Sequence, residues 1–473
     1  MADAVKRIFF AILIAGLTQL PTLQAASPNV LFISVDDLRP QLGSYGHDFM
    51  VTPHMDRLAT EGRQFNRHYV HAPTCGASRY ALWSGQLPKR KASMNNGAFK
   101  LYANGQAPKS LPQVFRENGY RSVQVGKLSH SPDGYRAQRK GFRYYPAGDQ
   151  RELPEAWDEI SSPPGKWKTP WFAFFGYAGG DTRRKDHRPP FESAEVDDHG
   201  YPDALLADEA IKQLRQLNDG DQPFFLALGF YRPHLPFNAP QKYWDLYDRD
   251  AIDISNVAPL KRKGGEFWAY DHQPSQAADA DYVRTLRHSY YAATSYIDAQ
   301  IGKVLSELDK LGLRDDTIVV LWGDHGYHLG ELGYWAKHTP YEYSLHSPLI
   351  VRAPAMQQHA GRATDALTST VDIYPSLIEL AGLPMPDHLD GHSFVPMLKD
   401  PQAKTRDHAL SFLSHGNNPA SFRTDRYRLI GDDQLYDHQT DPGETTNIAA
   451  KKPEIVKKLI AWRRAALEKR KAR

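Results

Sequence analysis

The chain has 473 residues, 41% of them hydrophobic and 11% aromatic, enough to fill one large core and a smaller one beside it. Its 58 Lys and Arg against 55 Asp and Glu leave a formal net charge of +3, which argues against a nucleic-acid binder and means that any anion must be recognised locally. The single cysteine, Cys75, excludes an intrachain disulfide.

At the N-terminus, Lys6 and Arg7 precede the apolar run IFFAILIAGL and then the small residues Ala25 and Ala26. A basic, apolar and small-residue order, with an apolar run too short to span a bilayer, predicts a secretory signal over residues 1–25. No cysteine stands at the cleavage site to carry a lipid, so the expected product is secreted or periplasmic, without a stable membrane anchor. Exported chains usually pair their cysteines. Cys75 is therefore a buried inert thiol, an intermolecular bridge or a chemically special residue.

The run NVLFISVDDL follows, continuous in apolar character as in a strand buried on both faces, and it ends in Asp36 and Asp37. Three more runs share this form: YRSVQVGKLSH ends at Lys127 and His130, PFFLALGFYRPH at His234, and DTIVVLWGDHG at Asp324 and His325. Between them lie helical patterns, the clearest from Asp281 to Leu311, where Leu286, Tyr290, Ala293, Ile297, Ile301, Val304 and Leu308 recur at spacings of three and four. Strands alternating with helices predict an α/β sandwich with a mostly parallel sheet, whose ligands bind outside the carboxyl ends of the strands. Beyond VDIYPSLIELAGLP, the Pro-rich residues 383–401 read as a crossover. The short runs HALSFLS, RYRLIG and QLYDH and the basic helix EIVKKLIAWRRAALEKRKAR then predict a small antiparallel sheet with a helix packed on it. Asp372, Asp390 and the Lys89, Arg90, Lys91 run read as structure or solvated surface.

Three carboxylates and an imidazole, from Asp36, Asp37, Asp324 and His325, would repel at close range unless a cation neutralised them. An oxygen-rich set favours Ca²⁺ or Mg²⁺. The stretch APTCGASRYALWSG places Cys75 at a predicted helix N-terminus, with Arg79 one turn on. A thiol there would be acidic, and an ordinary cysteine nucleophile is one reading of it. That reading leaves the metal unexplained.

The run C-G-A-S-R resembles the C-x-[PA]-x-R signature of the type I sulfatases, in which the cysteine is oxidised to formylglycine (3-oxoalanine). The resemblance continues in order through SVDDL, GKLSH, FYRPHLPF, GDHGYHLGELGYWAKH and RTDRYRLI to LYDHQTDPGETTNIA, covering nearly the whole chain after the signal. The runs YRPHLPF and HSYYAATSYID to WAKH are most similar to the iduronate-2-sulfatase branch. Ala77 stands where many members have proline, and His325 where many have asparagine.

The resemblance implies an alkaline-phosphatase-like α/β sandwich with a large, mostly parallel mixed sheet, here over residues 26–385, and a smaller C-terminal part with a short antiparallel sheet and a helix over 386–473. It implies that Cys75, converted by a formylglycine-generating maturation enzyme, is the nucleophile and also a metal contact. Asp36, Asp37, Asp324 and His325 would hold one Ca²⁺, with Mg²⁺ the second choice. Arg79 would fix the formylglycine, Lys127 and Lys337 would neutralise the sulfate, His130 would be the base and His234 the acid. The substrate it implies is a sulfated oligosaccharide or polysaccharide, a glycosaminoglycan fragment or an algal glycan such as ulvan or carrageenan. Candidate contacts are His338, Trp335 and Trp268, the last within KRKGGEFWAYDH. Two alternatives stand beside this: a phosphate or phosphonate ester hydrolase of the same superfamily, and a non-catalytic sulfoglycan-binding protein in which Cys75 is never converted.

Overall fold

The computed structural model describes residues 27–140, 143–182, 188–261, 270, 276, 278–413 and 419–471. The expected signal segment and Trp268 lie outside the described residues. The four apolar runs form four adjacent parallel strands, Thr317–Gly323, Asn29–Val35, Phe224–Phe230 and Arg121–Gly126, at the centre of an eight-stranded sheet. Each neighbouring pair is in continuous register; Asn29 to Val35 face Thr317 to Gly323 residue for residue. Side chains alternate across the sheet: Leu31, Ile33 and Val35 enter one apolar cluster, Val30 and Phe32 the other. Burial on both faces is why these strands read as unbroken apolar runs.

Glu159–Ser161 closes one edge of the sheet. Leu349–Arg352, Arg63–Phe65 and Arg362–Thr364 extend the other. Leu349–Arg352 runs antiparallel to both neighbours, which makes the sheet mixed. The helices Pro53–Glu61, Pro202–Asn218 and Ala280–Lys310 contribute to the cluster on one face, and Cys75–Ser84, Leu111–Glu117 and Ile373–Leu380 to the cluster on the other. Ala280–Lys310 begins where Asp279 caps the N–H groups of Asp281 and Tyr282, and it buries Ile297, Ile301, Val304 and Leu308 against the sheet. Each such side chain contributes about 1.5–3 kcal/mol.

Beyond this layer, His408–Phe412, Pro419–Thr424, Tyr427–Ile430 and Gln434–Asp437 form an antiparallel sheet in chain order. The helix Pro453–Lys471 covers it with Ile455, Leu459 and Trp462, the Trp462 ring lying 5.5 Å from that of Phe422. A buried ionic junction ties this sheet to the main layer. Arg428, fully buried, bonds Glu444 through Nε, Glu342 through Nη2 and Ser421 Oγ through Nη1 at 2.6 Å. Tyr69 donates to Glu342 at 2.9 Å from the other side. Lys89, Arg90 and Lys91 are exposed, and Asp372 is buried against Arg406.

Candidate active site

Parallel pairing of four strands places their carboxyl ends side by side, so Asp324, Asp36 and Lys127 follow directly on three of them, and His234 lies four residues past the end of Phe224–Phe230, which stands between the strands of Asp36 and Lys127. Two local features aim them. Asp37 takes a left-handed backbone conformation, φ 62°, held by its N–H donating to Asp324 Oδ1 at 2.9 Å and by Tyr290 donating to its carbonyl at 2.7 Å. This turn directs the two neighbouring carboxylates into one space, at a local cost of about 1–3 kcal/mol that the surrounding bonds offset. Gly126, φ 72°, passes so close to Gly229 that a Cβ on either would strike the other strand's backbone, and the crossing delivers Lys127 to Asp36.

Cys75 is the first residue of a ten-residue helix that is buried along its whole length. Its Sγ lies 3.2 Å from Lys337 Nζ, 3.4 Å from His325 Nε2 and 3.9 Å from Asp37 Oδ1. Arg79, one turn on and fully buried, reaches Asp324 Oδ2 at 3.0 Å and Asp36 Oδ1 at 3.5 Å, and donates to the Lys127 carbonyl. Lys337 Nζ is 2.6 Å from Asp37 Oδ1. Burial, and next the Asp36 carboxylate, push the Cys75 thiol well above its ordinary value despite Lys337 and Lys127. The acidic thiol that a helix N-terminus alone would favour is therefore not what this site makes; burial, and next the Asp36 carboxylate, overrule the helix.

Burial alone would raise Asp36, but Lys127, His234 and Arg79 outweigh it and hold its carboxyl well below the usual range. Burial, and next Lys127, hold His130 down at about 3, so it is neutral at ordinary pH. His325 donates Nδ1–H to the Gly326 carbonyl at 2.9 Å, which turns Nε2 toward Asp37 Oδ1 at 3.3 Å and Asp324 Oδ1 at 3.7 Å. A cation held among these atoms would offset the repulsion between the carboxylates. Asp36 Oδ1, fully buried, accepts no hydrogen bond. The ligating atoms of Asp36, Asp37, Cys75 and His325 all lie within 4.8 Å of one another. Two carboxylates and an imidazole, with Asp324 Oδ1 3.7 Å from His325 Nε2, thus fit a hard divalent ion.

A family model described as Sulfatase matches residues 28–383. The chain belongs to the sulfatase family. Within that family the cysteine signature marks it as one of the formylglycine-dependent, type I sulfatases. A second model, N-sulphoglucosamine sulphohydrolase, C-terminal, matches residues 330–471. The sulfatase is 32% identical to a "Sulfatase" of Formosa agariphila over 89% of this chain and 83% of that one. It is 29% identical to the iduronate 2-sulfatase of Mus musculus, over 77% of this chain and 71% of the relative. Among solved structures, the phosphonate monoester hydrolase of Agrobacterium radiobacter superposes with a TM-score of 0.76 at 25% identity, covering 93% of this chain and 96% of that one.

The remaining expected residues of this sulfatase divide. His234 donates Nδ1–H to the Leu235 carbonyl at 2.7 Å and sets Nε2 4.0 Å from Asp37 Oδ2. His130 packs edge-on to Trp171, ring centres 5.9 Å apart. His338, beside Lys337, bonds Thr74 Oγ1 at 2.9 Å and so ties its loop to the residue before Cys75. Trp335 is 8% exposed and packs with Tyr327, Leu329 and Tyr270, so it is a core residue rather than a face presented to a sugar. Sequence reasoning did not single out Tyr290 and Ser78, whose hydroxyls donate to the Asp37 and Asp324 carbonyls, or Asn96, which accepts the Gly76 N–H at 3.0 Å. Hydroxyls inside helices carry no motif. Among the described residues no helix is long and apolar enough to cross a membrane.

Proposed function

We propose that this sulfatase is an exported enzyme that hydrolyses sulfate esters on a sulfated oligosaccharide or polysaccharide, with Cys75 converted to formylglycine and one Ca²⁺ at the carboxylate cluster. The observation that carries the reading is the setting of Cys75: Lys337 Nζ at 3.2 Å and His325 Nε2 at 3.4 Å from Sγ, at a buried position beside the carboxylates of Asp36 and Asp37. Sγ stands where one of the two oxygens that Cβ of a hydrated aldehyde carries would lie. Formylglycine would supply a geminal diol, whose first hydroxyl attacks sulfur and whose second, once deprotonated, expels sulfate and restores the aldehyde. Asp36, Asp37, Asp324 and His325 would hold the cation, which when bound lowers the pKa of the attacking hydroxyl and offsets charge on a sulfate oxygen.

The chain's own residues do the rest. Counting His as neutral, the three carboxylates balance Arg79, Lys127 and Lys337, so a divalent ion would make the site attractive to a sulfate ester. Lys127 and Lys337 flank the Cys75 position and offset charge on the sulfate oxygens in the transition state. Arg79, locked between Asp324 and Asp36, orients the first turn that carries the nucleophile. With Nδ1–H committed to the Leu235 carbonyl, protonated His234 can give its Nε2 proton to the leaving sugar oxygen. His130, neutral, can accept the proton of the second hydroxyl.

The likeness to a phosphonate monoester hydrolase supports a second reading, a phosphate or phosphonate ester hydrolase. Matured protein assayed on 4-nitrophenyl sulfate, 4-nitrophenyl phosphate and a phenyl phosphonate ester separates the two. Sulfate turnover should exceed both others; a preference for phosphonate would overturn the proposal. Binding of sulfated glycan without any turnover by protein carrying formylglycine would instead mark a binding protein.

A further inference from the structure

A cavity of about 470 Å³ opens beside His130, bounded by Asn96, whose side chain holds the Gly76 N–H next to Cys75. Its size falls within the ~300–1,000 Å³ of small-ligand sites. It therefore adjoins the reacting centre on two sides, at the candidate base and at the first turn of the nucleophile's helix.

The walls differ in character. Phe99 and Trp171 form an apolar side, with Trp171 packed against the His130 ring. Two cations stand on the rim: Lys100, at the start of the short helix Lys100–Ala103, and Arg136, on the strand Tyr135–Lys140. Among the described residues, Lys100 Nζ makes no ion pair or hydrogen bond. Arg136 donates one Nη1 bond to Gln150, which leaves most of its guanidinium free to bind an anion. The acidic group on the wall, Glu152, is buried and turned onto the Ser131 N–H at 2.9 Å. Its negative charge is spent on the backbone rather than on either rim cation.

We infer that this cavity is a subsite for the glycan beyond the scissile ester, in which Lys100 and Arg136 hold a second anionic group, so that the substrate is a multiply charged sugar rather than one whose only charge is the scissile sulfate. The inference rests on the proposed function and narrows it to a substrate class. Lys100 is exposed and acts as a point charge, whereas the Arg136 fork suits a planar or tetrahedral oxyanion. A carboxylate and a second sulfate share this chemistry.

The test compares matured wild type, Lys100→Ala, Arg136→Ala and the double variant on three substrates: 4-nitrophenyl sulfate, a monosulfated uronate–glucosamine disaccharide, and the same disaccharide with a second sulfate. The kcat/KM on the doubly sulfated disaccharide, relative to that on 4-nitrophenyl sulfate, should fall about tenfold in each single variant, mainly through KM. A like fall on the monosulfated disaccharide assigns the anion to the carboxylate, and a fall confined to the doubly sulfated one assigns it to the second sulfate. Parallel losses on all three substrates, or no loss on either disaccharide, would overturn the subsite. Binding of the doubly sulfated disaccharide to unmatured protein carrying Cys75, measured by calorimetry, is the second readout. If matured wild type hydrolyses no sulfate ester yet Lys100→Ala weakens this binding, the proposed activity fails and the subsite stands.

Discussion

Replacing Lys337 by methionine keeps an unbranched apolar stem and removes the terminal ammonium, in a place where its charge has two neighbours. The ammonium lies 2.6 Å from Asp37 Oδ1 and 3.2 Å from Cys75 Sγ, and is buried from water. At 3.2 Å and an effective dielectric of about 20, a unit charge pair is worth ~5 kcal/mol. If about half a charge develops near Nζ between ground and transition state, Lys337→Met costs ~2.5 kcal/mol of transition-state stabilisation, close to a hundredfold in kcat. The substitution also leaves the Asp37 carboxylate buried with one cation fewer, so thermal stability should fall too. The assay is therefore turnover of 4-nitrophenyl sulfate well below the melting temperature, with formylglycine content confirmed by mass spectrometry for each preparation. A loss under about threefold in folded, matured Lys337→Met would refute the placing of Lys337 against the developing charge.

Asp324→Asn should lower metal content and activity together, because it removes charge from the candidate cation cluster and weakens the Arg79 bond; elemental analysis showing full metal content in an inactive variant would count against the ligand set. Arg428→Met leaves Glu342 and Glu444 buried without their shared cation and should destabilise the protein by about 3–5 kcal/mol, read as a fall of at least ~5 °C in melting temperature. An unchanged melting temperature would show that the junction does not hold the C-terminal sheet. Glu331 provides a pH test. Burial alone would raise it, but Arg39 and next Arg287 hold it at about 2, below its usual 4.5. A depressed folded-state pKa stabilises above the unfolded value, and that stability, about 3 kcal/mol, is lost as pH falls from 4.5 toward 2. Glu331→Gln should be less stable at pH 7 and lose less on acidification; parallel pH profiles for the two proteins would refute this.

The central strands were legible because a strand covered on both faces must be apolar at every position, and each run ended in a charged or imidazole side chain. The carboxyl-edge site followed from that alone. The flanking strands Arg63–Phe65 and Arg362–Thr364 are three residues each, too short to show a period, and Pro419–Thr424 alternates weakly behind a proline. Trp335 misled for a related reason. Its neighbours Lys337 and His338 suggest a sugar contact, but the small hairpin of His328–Leu329 and Trp335–Ala336 turns the indole into the cluster around Tyr327. The raised thiol of Cys75 was not legible either, since it depends on burial, and next on Asp36, 39 residues upstream, and on Asp324, which only folding brings near. Nor was the Lys100 and Arg136 rim, whose two cations come from a short helix and a separate strand with no shared motif.

The most direct test of the account is peptide mapping of the protein produced with a formylglycine-generating enzyme, read beside sulfate release from the same sample. The account predicts formylglycine at position 75, sulfate release in proportion to its occupancy, and no turnover in Cys75→Ser although that variant still binds substrate. Full sulfate release from protein whose Cys75 remains a thiol would contradict it.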